Sequence, residues 1–316
     1  MNKVRLGRTD LKISPIVFGC NVFGWTVDEA EAHSLLDRMV DAGITTLDTA
    51  DAYSRWVDGH SGGESETIIG NWLAANPGRR GQIDLITKVG FPMPDGEGLS
   101  AAWIETAVED SLRRLQTDRI DLYFSHRPDD ETPHEETLAA YARLIEAGKV
   151  RAIGASNFDA SQMQAAEEAS EASDTLPRYG AQQPEYNLYS REKFDGALAD
   201  FCLEHDIGVI PYYGLASGFL TGKYRREDDL TGARGKRGVG RYLDKRGFAI
   251  LDAMDRVSEE SGFDLSEIAL AWLRAKPAVT APIASATTLV QLNSLIRAAD
   301  ATLSDEHMAR LDAAGS

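Results

Sequence analysis

The sequence predicts an α/β protein with a (β/α)8 TIM barrel, long loops at the C-terminal face of the barrel, and extra helices at the C-terminus. Short apolar segments rich in β-branched residues alternate with longer amphipathic ones, as in repeated βα units around a parallel sheet. Eight such units in 316 residues fit a barrel, which often forms one domain of this length. No GxGxxG motif follows a predicted strand, which disfavours an open doubly wound sheet. We expect one domain over residues 1–316.

The eight predicted strands are short, mainly apolar runs bounded by turn-forming residues. In chain order they cover 14–19, 44–50, 82–88, 119–125, 150–156, 179–185, 207–213 and 278–284. Several of the predicted helices begin at Asp or Ser and end near Gly. They include Asp28–Ala42, Ala101–Gln116, His134–Ala147, Phe194–His205 and Leu265–Lys276, and the extra C-terminal helices are Leu289–Ala299 and Asp305–Ala313.

Two segments depart from this plain repeat. Ala52–Gly63 is rich in Gly and Ser, and Gly214–Gly247 is crowded with Gly and Arg. Loops this long in a compact domain are usually functional or disordered, and both would follow strands at the C-terminal face, where barrel enzymes keep their active sites. We therefore expect them to act as lids over a site.

The composition excludes several classes of function. The chain has 33 basic and 50 acidic residues, and its net charge of −17 disfavours non-specific binding to nucleic acid or to anionic lipid. No apolar run is long enough to span a bilayer and the first ten residues do not form a secretory signal, so we expect a cytoplasmic protein without membrane partners. Cys20 and Cys202 are too few for a disulfide framework, and the six histidines lack metal-ligand spacing, so we expect no metal site.

Four polar residues stand at the ends of consecutive predicted strands. Asp48, Lys88 and His126 end the second, third and fourth strands, and Tyr53 lies five residues beyond Asp48. Each alone has an ordinary structural explanation: a turn cap, a core ring, a solvated amine or a satisfied histidine. Together they favour an active site, because a barrel brings these strand ends to one face.

These four residues can build an acid catalyst for a carbonyl. Tyr53 is a poor proton donor at its usual pKa of about 10 unless a cation favours its anion, and Lys88 is that cation. We expect Lys88 and His126 to lower this pKa by about two to three units, which corresponds to roughly 3–4 kcal/mol. Asp48 would hold the lysine charged. A barrel aldolase or isomerase using Lys88 as a Schiff base is an alternative, but it requires an unpaired lysine.

At these positions the sequence resembles the aldo-keto reductase superfamily, in particular its prokaryotic and potassium-channel β-subunit-like branches. The strings DTADAY, GGESETIIG, TKVG, HRPD, GASNF and PYYGLASGFLTGKY occur in the family's order over nearly the whole chain. The resemblance implies a barrel that binds NADP(H), a catalytic tetrad at Asp48, Tyr53, Lys88 and His126, and reversible reduction of an aldehyde or ketone with Tyr53 as general acid. It leaves open a nicotinamide-binding redox sensor or assembly subunit with little turnover.

The resemblance also implies where the cofactor binds. Ser156, Asn157 and Gln183 would contact the nicotinamide carboxamide, and Tyr212 would stack on its ring. The pyrophosphate would be held by Gly214, Leu215, Ser217, Gly218, Lys223 and Arg234, and the 2′-phosphate and ribose of the adenosine by Ser285, Thr287 and Gln291. Many relatives place Lys or Arg in this last stretch and this chain does not. NADP(H) is favoured and NAD(H) is the alternative.

The substrate is poorly specified by the sequence. Four aromatic residues near the strand ends would line an apolar mouth above the nicotinamide, namely Phe23, Trp25, Trp56 and Phe91. Tyr213 stands where relatives often carry Ser, and it would either narrow this pocket or turn its hydroxyl to solvent. We expect a small-molecule carbonyl or alcohol substrate. The oligomeric state cannot be read from the sequence.

Overall fold

The computed structural model describes residues 1–236 and 238–315, apart from the side chain of Arg234. A two-stranded antiparallel hairpin, β1 (Val4–Arg5) and β2 (Lys12–Ile13), precedes the barrel. The barrel strands are β3 (Val17–Gly19), β4 (Thr46–Asp48), β5 (Asp84–Val89), β6 (Ile120–Ser125), β7 (Val150–Ser156), β8 (Ala181–Gln183), β9 (Gly208–Val209) and β10 (Ile283–Ala284). All eight lie within the strands that the sequence predicts, or overlap them.

The sheet closes on itself. Strands β3 to β9 pair in chain order and in parallel, and β10 pairs with β3. The segment before β10 returns to β9, where the Thr280 N–H donates to the Val209 carbonyl at 2.8 Å and the Ile283 N–H donates to the Pro211 carbonyl at 2.9 Å. The predicted (β/α)8 barrel is therefore confirmed.

Eleven α-helices are described outside the barrel strands, besides short 3-10 turns. They are α1 (Glu29–Asp41), α2 (Glu64–Ala75), α3 (Ala101–Leu115), α4 (His134–Glu146), α5 (Ala160–Glu171), α6 (Ala197–Glu204), α7 (Gly232–Gly235), α8 (Lys245–Ser261), α9 (Leu265–Arg274), α10 (Leu289–Ala298) and α11 (Asp305–Ala314). Polar side chains begin many of them: Asp28 accepts a hydrogen bond from the Glu31 N–H before α1, and Asp159 closes a capping box before α5. None of the helices in the described ranges is long and apolar enough to cross a membrane.

Two local features differ from the sequence expectation. The helix predicted from Phe194 begins at Ala197, because Gly196 before it has a φ of +91° that a continuing helix cannot include. The hairpin of β1 and β2 was not predicted, since two-residue strands carry no periodic signal. Its Leu6, Leu11 and Ile13 are buried with barrel-interior residues such as Leu122 in one apolar cluster.

The strand register brings polar residues together at the carboxyl ends of the strands. Gly19 on β3 pairs with Asp48 on β4, and Ser156 on β7 pairs with Gln183 on β8. A Cβ on Gly19 would lie 2.7 Å from Ser285 Oγ and 3.0 Å from Ile283 Cγ2, so a larger residue here would require these side chains to shift. The other end of the barrel is covered by the hairpin, which leaves the carboxyl end for a site.

Candidate active site

Lys88 is the centre of a buried polar cluster at the carboxyl end of the barrel. Its side chain is 0% exposed, and its ammonium donates to Asp48 Oδ1 at 2.7 Å and to the Thr49 carbonyl at 2.7 Å. It also donates to Tyr53 Oη at 3.2 Å. Burial alone would lower the pKa of Lys88, but Asp48 and Tyr53 outweigh it and raise that pKa. The lysine is therefore a fixed cation beside a phenol.

This pairing opposes the Schiff-base alternative. A nucleophilic lysine must lose its proton, and Lys88 is held protonated by a carboxylate at 2.7 Å. All three of its N–H bonds are directed at oxygen acceptors. The geometry suits electrostatic support of Tyr53 better than covalent attack.

The expected lowering of the Tyr53 pKa is wrong. Burial of the phenol raises its pKa to about 12, against the opposing effect of Lys88, because desolvation disfavours the phenolate more than the ammonium favours it. The sequence indicated a cation, Lys88, near Tyr53, but it gave no sign of how deeply the phenol is buried. Tyr53 is thus protonated across the neutral range, which a proton donor requires.

His126 is a neutral partner of the same phenol. Burial first, then Lys88, Arg55 and Arg127, hold the pKa of His126 well below its usual range. Its ring lies 5.8 Å from the Tyr53 ring between centroids, and its Nδ1 is buried with no hydrogen-bond partner among the described residues. A neutral imidazole can contact a substrate oxygen without competing with Tyr53 as the proton source.

Gln183 ties the predicted cofactor residues to this cluster. Its side-chain amide donates to the second oxygen of Asp48, Oδ2, at 2.8 Å, and both side chains are buried. The sequence gave Gln183 a role towards the nicotinamide and did not show this bond to Asp48. Both carboxylate oxygens of Asp48 are therefore occupied, which fixes the acceptor that holds Lys88.

The other predicted carboxamide ligands form a network of their own. Ser156 donates to the Gln183 carbonyl at 2.8 Å, and Asn157 donates to the His126 carbonyl at 2.9 Å. The Tyr212 hydroxyl donates to Asn157 Oδ1 at 2.7 Å. These bonds hold the polar atoms of four neighbouring strand ends in one rigid patch.

One large cavity contains most of the predicted site. It has a volume of about 1030 Å³, and Asp48, Tyr53 and His126 lie on its wall, with Lys88 behind them. The predicted cofactor residues that line it are Ser156, Asn157, Gln183, Tyr212, Gly214, Leu215, Ser217, Gly218, Lys223, Ser285, Thr287 and Gln291. The side chain of Arg234 lies outside what the structure describes. The cavity is large enough for a dinucleotide beside a small substrate.

The loop after β9 has a backbone suited to an anion. Ala216, Ser217 and Gly218 have φ values of +47°, +58° and +94°, within the short helical turns Ala216–Thr221. Successive turns of this kind can point backbone N–H groups into a concave surface, and here the Ala216 and Gly218 N–H groups already donate to the Tyr213 and Leu215 carbonyls at 2.7 and 2.8 Å. A Cβ on Gly218 would lie 3.4 Å from Lys223 Nζ, so the ammonium lies directly against this backbone. The described residues of the predicted lid segment Gly214–Gly247 form short helical turns and the short helix α7 before α8 begins at Lys245.

The far end of the cavity is lined by neutral side chains. Ser285 donates to Asn21 Oδ1 at 2.8 Å, and Gln291 Oε1 accepts from the Thr287 backbone N–H at 2.8 Å. Ser294 and Leu295 lie beside them on the wall. Among the described lining residues at this end, none is Lys or Arg.

Two of the four aromatic residues that were expected to line the mouth of the cavity lie on its wall. Trp56 and Phe91 lie on the cavity wall, and Trp25 packs edge-on against Trp56 at 5.9 Å without lining the wall itself. The prediction for Phe23 is wrong, because its side chain is 0% exposed and packs on Phe18 at 5.9 Å in the core. A residue shortly after a strand can turn back into the barrel wall, and the sequence gave no sign of that turn.

Two arginines near His126 were missed by the sequence reasoning. Arg127 lies on the cavity wall, and the guanidinium carbons of Arg55 and Arg127 lie 5.4 and 5.3 Å from the centroid of the Phe91 ring. The same ring contacts His126, at 4.3 Å between centroids. Their positions, two residues after Tyr53 and one after His126, were the available signal.

Comparisons with known proteins identify the family of the chain. A model of the Aldo/keto reductase family matches residues 15–316. The chain is 33% identical to a "Probable voltage-gated potassium channel subunit beta" of Arabidopsis thaliana, over 95% of this chain and 92% of that protein. It is 33% identical to the "Uncharacterized oxidoreductase YrpG" of Bacillus subtilis, over 99% and 95% of the two chains. It is 32% identical to "Protein tas" of Escherichia coli, over 98% and 96%.

Proposed function

The chain belongs to the aldo/keto reductase family, and on that premise we propose that it is an NADP(H)-dependent oxidoreductase that reversibly reduces an aldehyde or ketone to an alcohol. The observation that carries this proposal is the contact of Lys88 with both Asp48 and Tyr53 at the wall of a dinucleotide-sized cavity. A cation held against a neutral phenol is the arrangement that lets the phenol release a proton at the moment an alkoxide forms.

The residues present fit a nicotinamide dinucleotide. Gln183 uses one of its amide hydrogens on Asp48, which leaves its second N–H and its Oε1 for a carboxamide. Ser156 and Asn157 lie beside it, Tyr212 offers a ring for stacking, and the left-handed backbone near Ser217 suits a pyrophosphate. When bound, the reduced cofactor supplies a hydride to the carbonyl carbon.

The proton that the reduction requires comes from a side chain of this protein. As negative charge grows on the carbonyl oxygen, Tyr53 Oη gives its proton to that oxygen, since an alkoxide is far more basic than a phenolate. The resulting phenolate is stabilised by the Lys88 ammonium at 3.2 Å, which Asp48 and the Thr49 carbonyl keep in place. His126, neutral and on the cavity wall, can donate a hydrogen bond to the same substrate oxygen.

The proposal is tested by following NADPH consumption with a panel of activated aldehydes and ketones. Multiple turnovers with any member support a carbonyl reductase and rank the substrates. NADPH binding is measured separately by the quenching of tryptophan fluorescence. Tight NADPH binding without turnover of any compound in the panel would overturn the proposed reduction.

A redox sensor or assembly subunit is the second candidate. The observation that favours it is the similarity to a plant protein named as a probable potassium channel β-subunit. The two candidates differ in rate: a sensor would release the oxidised cofactor slowly and show negligible turnover, whereas an enzyme would turn over many times. The same NADPH assay separates them.

The raised pKa of Tyr53 predicts opposite pH profiles for the two reaction directions. Reduction needs the protonated phenol, so its kcat/KM should stay flat through the neutral range and fall only as pH approaches about 12. Alcohol oxidation needs the phenolate, so its kcat/KM should rise with pH over the same range. Initial rates in both directions between about pH 7 and 10 check this. A reduction rate that already falls near neutral pH would contradict it.

Cofactor preference should be modest. Hydrogen bonds to a charged group contribute about 1.5–3 kcal/mol, or roughly ten- to a hundredfold in affinity. Among the described residues, the neutral wall around Gln291 and Ser285 offers the 2′-phosphate no cation. We expect NADPH to bind more tightly than NADH by less than about tenfold. Fluorescence titration of both cofactors measures the ratio. Gln291→Arg should increase it, and equal affinities in the wild type would withdraw the NADP(H) preference.

A further inference from the structure

Arg127 on the cavity wall and Arg55 against the same Phe91 ring form a positive patch beside His126 that the proposed reduction does not use. Both guanidinium groups lie against the Phe91 ring, and that ring packs against His126. The chain as a whole has a net charge of −17. Two guanidinium groups beside a catalytic histidine are therefore a local exception to an acidic surface, and such an exception draws anions to one place.

Backbone contacts fix where these guanidinium groups lie. Arg55 donates to the Pro92 carbonyl, and Arg127 Nε donates to the Gly90 carbonyl at 3.2 Å. Both acceptors belong to the loop that carries Phe91. Both guanidinium groups are thus held against one ring, and a guanidinium group keeps further N–H donors after one such bond.

The charge of the pair is only half compensated. Arg127 pairs with Glu97 at 2.7 Å, and both side chains are well exposed. In the described parts of the chain, no carboxylate lies within salt-bridge distance of Arg55. Two other nearby cations are already paired: Arg241, which lies over the Tyr213 ring on the cavity wall, pairs with Glu185 at 2.8 Å, and Lys88 pairs with Asp48. One guanidinium charge is therefore left facing solvent near the reaction centre.

We infer that the preferred substrate is an aldehyde that carries a carboxylate, bound with its carbonyl at Tyr53 and His126 and its carboxylate at Arg55 and Arg127. This inference rests on the proposed function and names its substrate class. The separations limit the length of the molecule: the His126 ring centroid lies 4.3 Å from the Phe91 centroid and the guanidinium carbons lie 5.4 and 5.3 Å from it, so His126 and either guanidinium carbon are at most about 10 Å apart. A spacer of about four to five bonds of roughly 1.5 Å stays within that limit.

The wall between the two ends suits such a spacer. Trp56 lines the cavity beside Tyr53 and Phe91 lines it beside the arginines, so the segment that links aldehyde and carboxylate can be apolar and aromatic. Guanidinium groups bind carboxylates through paired N–H donors, which fixes the far end of the substrate and thereby orients the carbonyl.

The test compares 4-carboxybenzaldehyde with its methyl ester, a matched pair that differs in charge. In the wild type, kcat/KM should favour the acid by about ten- to a hundredfold, the value of a charge-assisted contact. Arg55→Gln and Arg127→Gln should each reduce this ratio, and the double variant should bring it near one. Added salt should lower kcat/KM for the acid and not for the ester.

Arg310→Gln is the control, because Arg310 lies on α11 in an ion pair with Glu260 and should leave the ratio unchanged. Equal turnover of acid and ester in the wild type would overturn this inference and leave the proposed reduction standing. Arginine variants that slow acid and ester equally would show a structural role and also overturn it. No turnover of either compound, nor of the wider panel, would instead count against the proposed function.

Discussion

Replacement of Tyr53 by Phe is expected to lower kcat for carbonyl reduction by about a hundred- to ten-thousandfold, the usual contribution of a positioned general acid. The variant removes one oxygen and leaves the ring, so Tyr53 contacts such as the edge-on packing against Trp56 at 5.6 Å are retained. Since the proton donor acts only when charge develops on the carbonyl oxygen, affinity for NADPH should stay within about threefold of the wild type.

Two measurements check this result: steady-state turnover of the best substrate, and fluorescence titration with NADPH. Tyr189→Phe is a matched control, because the Tyr189 hydroxyl donates to Asp244 at 2.8 Å away from the catalytic cluster, and it should keep turnover. A Tyr53→Phe enzyme with unchanged kcat would refute Tyr53 as the acid. A loss of NADPH affinity as large as the loss of turnover would assign Tyr53 to cofactor binding instead.

The positions of the catalytic candidates were predictable because they depend on topology alone. Asp48, Lys88 and His126 each end a short apolar segment, and parallel strands in a barrel end at one face. The alternation of strands and helices along the sequence therefore predicted that these residues lie at one face of the barrel, without any knowledge of side-chain contacts. The same reasoning gave the barrel itself, since eight alternating units leave little choice of architecture.

The features that the sequence could not predict depend on how deeply a side chain is buried and on which way it points. The pKa of Tyr53 is set first by burial, which no local pattern records, and so the expected direction was wrong. Phe23 turns inward and Trp56 outward although both are aromatic residues shortly after a strand. The Gln183 bond to Asp48 joins residues 135 positions apart, and only the closed sheet brings them into contact.

Replacement of Lys88 by Met should abolish turnover and also destabilise the fold by about 3–5 kcal/mol, because it leaves a buried carboxylate without its cation. The Lys88 side chain is 0% exposed and that of Asp48 is 3% exposed, so solvent cannot replace the ammonium. The methionine side chain has similar volume, which limits any contribution from a cavity. Urea unfolding measures the loss, and NADPH consumption measures the turnover.

The double variant Lys88→Met with Asp48→Asn separates the two roles of the ion pair. Asparagine carries no charge, so most of the stability should return, whereas turnover should stay absent because no cation remains beside Tyr53. Lys149→Met is the control: Lys149 forms an exposed ion pair with Glu109, and its loss should cost less than about 1 kcal/mol. If the double variant were as unstable as Lys88→Met alone, the destabilisation would come from packing around Lys88. If Lys88→Met kept its turnover, the ammonium would not be what stabilises the Tyr53 phenolate, and the proton step would need another source of charge.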